Sequence, residues 1–191
     1  TSTKMDQVLA AVGLPKENDH LFETEKNQDA YKDFLGAIGK SRGKTFIFSD
    51  THGSEKEWST SAGRAFSVEW IGYQLANRMV GVLRENGLEA AKRTLGDMTI
   101  TTQSCESYVF LYENIIPAIK KYLDIAKKNH QNLLSWSSLP EFGLKTKEMY
   151  GTEKITTQEL KNLSTLSGIE IESLELPRVI GYGQKGNVVY S

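Results

Sequence analysis

Asp50 and His52 stand one residue apart in the run Ser49-Asp50-Thr51-His52-Gly53. A carboxylate and an imidazole projecting together from a strand end offer oxygen and nitrogen donors to a cation, or an acid–base pair to a substrate. Glu55 adds a second carboxylate to the same loop. Asp50, His52 and Glu55 are therefore the candidate catalytic residues, and Asp50 and His52 the candidate metal ligands. Cys105 would sit at a helix N-terminus, where the dipole favours the nucleophilic thiolate. His130 is the base it would need, yet on one continuous helix the two lie roughly 37 Å apart. A second chemistry is suggested by Lys120, Lys121, Lys127 and Lys128, whose i, i+7 relation builds a basic ridge opposite an apolar stripe. Such a ridge suits phosphate-backbone contact, whereas Asp124 within it fits a plain solvated face. Trp58 and Trp136, read as loop residues, would stack on bases or anchor a partner.

Asp50-x-His52-Gly53 after a strand resembles the first motif of the calcineurin-like metallophosphoesterases. Gly96-Asp97 and Asn129-His130 follow in that family's order. The resemblance implies a metal-dependent hydrolase with a dinuclear centre. The family's later histidines have no counterpart, because His20, His52 and His130 are the only three in the chain. The family also sets its second and third motifs after strands, while both fall at the ends of helical patterns here. Gly39-Lys-Ser-Arg-Gly43-Lys44-Thr45 has the composition of a phosphate-binding loop. Three residues separate its glycines where the backbone cradle needs four, and it precedes a strand instead of following one. What remains is a basic turn, with Lys40, Arg42 and Lys44 free to meet an anion.

The elements that must position these residues are mostly helical. Short helices are predicted over Met5–Val12 and residues 27–38, then a strand over Thr45–Phe48 and a polar loop over 49–63. A helix from about Ala65 to Arg84 is apolar around most of its circumference, as in a core helix or one covered by another subunit. Asn86-Gly87 ends it, and a short helix over Leu88–Leu95 follows. Residues 97–103 read as a polar connection. The second long helix, from about Cys105 to Gln131, carries a stripe of Tyr108, Leu111, Tyr112, Ile115, Ile119, Tyr122, Leu123 and Ala126, and Pro117 should kink or divide it near Ile116. A long connection over 135–155 leads to a helix opened by Thr156-x-x-Glu159 and closed by Gly168. A strand around Ile169–Leu176 and a hairpin of 179–182 with 188–190 complete the chain.

The fold class expected is mainly α (α+β): two long core helices, one short strand near 45–48 and a C-terminal β-hairpin. At 191 residues a single domain is expected, with 152–191 as an appendage in the other way of dividing the chain. The start at Thr-Ser-Thr without Met suggests a fragment or a processed form. With 23 basic and 24 acidic residues the formal net charge is −1, so nothing global advertises a nucleic-acid or membrane partner. One cysteine excludes an internal disulfide and fits a reducing, cytoplasmic setting. No complete catalytic constellation is present, histidine is scarce, and no cofactor is implied. The function expected is a non-catalytic helical interaction or assembly domain that binds a protein partner or self-associates. The alternatives are a phosphoesterase-like hydrolase using the Asp50-x-His52 loop and a nucleic-acid-binding protein using the lysine ridge.

Overall fold

The computed structural model describes residues 28–49, 52–54, 56–59, 65–102, 109–129, 157–182 and 188–190. Five α-helices pack with a four-stranded sheet, giving a mainly helical α+β architecture among the described residues. In chain order they are α1 Gln28–Lys40, β1 Thr45–Ser49, β2 His52–Gly53, β3 Glu57–Ser59, β4 Ala65–Ser67, α2 Val68–Asn86, α3 Leu88–Arg93 and β5 Met98–Thr102. A π-helix, Val109–Ile115, then runs into α4 Ile116–Asn129; α5 Thr157–Ser167, β6 Arg178–Tyr182 and β7 Val188–Tyr190 follow. The main sheet has the order β1-β5-β6-β7, and β2-β3-β4 form a small antiparallel sheet inserted between β1 and α2. β1, β5 and β6 run parallel, and β7 closes against β6 as the predicted antiparallel partner.

The centre of the fold is α2. Ser67 caps it by accepting a hydrogen bond from the Trp70 amide at 3.2 Å. Gly87, at φ 91°, ends it with an N–H to the Leu83 carbonyl at 3.0 Å; a side chain there would be strained whatever the space. Every residue from Ile71 to Val80 is buried, because α1, α3, α4, α5 and the π-helix all pack against this helix. The apolar circumference is thus covered by the chain itself. Gly72 lets α4 approach so closely that an added Cβ would lie 2.6 Å from that of Ala118. Leu163, Leu166 and Val179 join the same core as Leu75, Met79 and Ile119, so the described part of 152–191 is built into the main body.

Pro117 divides the second long helix where expected, with a physical signature. Proline has no N–H and its ring would strike the Glu113 carbonyl in a continuous α-helix. The winding is π up to Ile115 and α from Ile116.

Three expectations are corrected. Residues 97–103 are not a polar connection, since Met98–Thr102 is a strand flanked by β1 and β6. Met98, Ile100 and Thr102 point inward and are buried, with Thr99 and Thr101 between them half-buried, so the threonines act as β-branched residues. The 49–63 region is not all loop, because β2 and β3 fall within it; strands of two and three residues are too short to show alternation. Residues 169–176 form no strand. Their apolar spacing breaks between Ile171 and Leu174, and a 3₁₀ turn over Ile171–Ser173 absorbs the break, with the Ser173 amide donating to Glu170 O at 2.9 Å. The predicted Met5–Val12 helix and the 135–155 connection lie outside the described residues.

Candidate functional site

Adjacent parallel strands place their carboxyl ends side by side, and in open sheets of this kind ligands bind beyond those ends. Ser49 and Thr102 are the last residues of β1 and β5 and pair in register, and both are buried. Asp50 follows Ser49 directly, and residues 103–105 follow Thr102. Asp50, Glu55 and Cys105 lie outside the described residues. His52 opens β2, with its backbone opposite Ser59. Gly53 is opposite Trp58.

The N-terminus of α2 returns towards the same edge, since Arg78, ten residues later, reaches Thr45 at the start of β1. Two amides of that terminus have acceptors. Ser67 takes the Trp70 amide, Lys56 O takes the Val68 amide at 2.8 Å, and Glu69 stands in the first turn.

Trp58 is not the loop residue expected. It belongs to β3, is 1% exposed, and stacks on Phe110 with ring centroids 5.1 Å apart. A base cannot stack on a face already taken by Phe110. Its Nε1 is buried and has no hydrogen-bond partner. Trp136 lies outside the described residues.

Register places the described residues around the phosphoesterase-like motifs. Asp97 precedes Met98, which pairs with Thr45, whereas Asp50 follows Ser49, which pairs with Thr102. Asp97 therefore lies at the amino end of β5, while Ser49 lies level with Thr102 at its carboxyl end, roughly 16 Å of strand away at about 3.3 Å per residue. Gly96 packs against Glu175, Asn129 is the last residue of α4, and His130 lies outside the described residues.

The basic turn Lys40–Lys44 is bound to the core by a residue that sequence reasoning passed over. Arg78 is 0% exposed, and its five N–H donors all have acceptors. Nε donates to Thr94 Oγ1 at 3.0 Å; Nη1 donates to Ser41 Oγ at 2.9 Å and Thr45 Oγ1 at 2.7 Å. Nη2 donates to Gly43 O at 2.7 Å and Thr94 O at 2.9 Å. Burial pulls its pKa well below the ordinary arginine value, to about 10, opposed by the nearby Asp97 and aided by Arg42. The hydroxyls that suggested a phosphate loop are therefore turned inward onto a guanidinium. Arg42 is occupied as well, bonding Glu85 through Nε at 2.9 Å and Nη2 at 3.2 Å, and Gly39 O and Ser41 O through Nη1. Gly81 makes room for it, since any Cβ there would collide with the Arg42 guanidinium. The signal available was an arginine amid buried apolar residues of a core helix.

The lysine ridge is divided among partners. Lys120 donates to the Ile169 carbonyl, Lys121 pairs with Glu69 at 3.0 Å, and Lys127 lies 3.9 Å from Asp124. The Lys128 side chain lies outside the described residues. Glu69 also accepts from the buried Tyr122 hydroxyl at 2.8 Å, so Lys121 and Tyr122 fasten α4 to the start of α2.

Among the described residues, no group of three His, Cys, Asp or Glu side chains could hold a metal ion, and no helix is long and apolar enough to cross a membrane. No protein-family model, curated protein or solved structure matches the chain.

Proposed function

We propose that this domain binds a small-molecule ligand or substrate beyond the carboxyl ends of β1 and β5, with Asp50 and His52 as its contacting or acid–base groups. The observation that carries the reading is the parallel, in-register pairing of Ser49 with Thr102, since the candidate residues follow one of these strands directly. The dinuclear-metal chemistry of the phosphoesterase resemblance forms no part of the reading. Self-association and nucleic-acid binding through Lys120, Lys121, Lys127 and Lys128 are the other readings, and the packing bears on both. The circumference of α2 is buried internally, and three of the four lysines have partners.

The experiment is a thermal-shift screen with divalent cations and small carboxylated or phosphorylated metabolites, repeated on Asp50→Asn and His52→Ala. We expect a ligand that raises the melting temperature of the wild type and loses that effect in both variants, whose ligand-free melting stays unchanged. A response surviving both substitutions, or no response across the panel, overturns the reading.

A further inference from the structure

We draw no further inference here: the strongest candidate, the half-buried second face of the four-stranded sheet around Phe46, Thr99 and Ile180, carries nothing because the structure does not show what covers it.

Discussion

Replacing Arg78 with methionine tests the account of the core most directly. The side chain keeps much of its apolar stem but loses the five donors that join the 41–45 turn to Thr94. Three acceptor groups keep a second bond within the turn. Ser41 Oγ still donates to Ile38 O at 2.6 Å, and Thr45 Oγ1 still donates to Gly43 O at 3.0 Å. Thr94 Oγ1 and the Thr94 carbonyl lose the guanidinium outright. Two buried acceptors deprived of a charged donor, at about 1.5–3 kcal/mol each, set a range of about 3–6 kcal/mol. The desolvation penalty that methionine avoids moves the expectation to the lower end, about 3 kcal/mol. Arg78→Lys should recover little, because three donors on one nitrogen cannot reach around a five-acceptor ring. Urea denaturation followed by circular dichroism gives the midpoint and slope. A loss below about 1 kcal/mol at unchanged slope, or full recovery by lysine, would refute the reasoning. The pH dependence adds a second check. The folded pKa, about 10, lies below the ordinary arginine value of the unfolded chain, so the unfolded state holds more protons between the two. Through this group alone, stability rises with pH in that window. Below it the guanidinium is charged in both states, so the Arg78→Met deficit should stay flat between about pH 6 and pH 9.

Three further outcomes follow from the same packing. Gly72→Val pushes a branched side chain into Ala118 and should cost about 1–3 kcal/mol, read from the denaturation midpoint; a neutral effect would mean that α2 and α4 are not held in close contact. Trp58→Phe keeps a ring against Phe110 and removes an unpaired N–H, so it should cost less than about 1.5 kcal/mol, while Trp58→Ala costs about 3–5 kcal/mol; equal losses would contradict the unpaired assignment. Reversing Lys121 and Lys127 to Glu should shift heparin retention no more than reversing the exposed Lys44 and Lys56. A selective loss with the first pair would restore the nucleic-acid reading.

Local pattern alone marked the two long helices, although Ala65–Ser67, expected at the start of α2, is strand β4. Apolar spacing at i, i+3 and i+4 marks α2 and α4; Gly87 supplies the positive φ that stops one, and Pro117 the missing N–H that divides the other. The Thr45–Phe48 strand and the C-terminal hairpin were legible for the same reason, since β-branched and aromatic residues bounded by turn residues need no distant information. Tertiary structure decided the rest. Met98–Thr102 is a central strand because β1 and β6 flank it, and no property of five residues reveals which strands will neighbour them. Without β5 there is no parallel sheet, and without that sheet Asp50-x-His52 is only a loop motif with no edge to belong to. Register likewise sets Ser49 and Asp97 at opposite ends of the paired strands β1 and β5. Burial reassigns Trp58 from a surface platform to a packing residue and makes Arg78 the tie between turn and helix. Each of these outcomes depends on contacts between residues far apart in the chain, which spacing along the sequence does not encode.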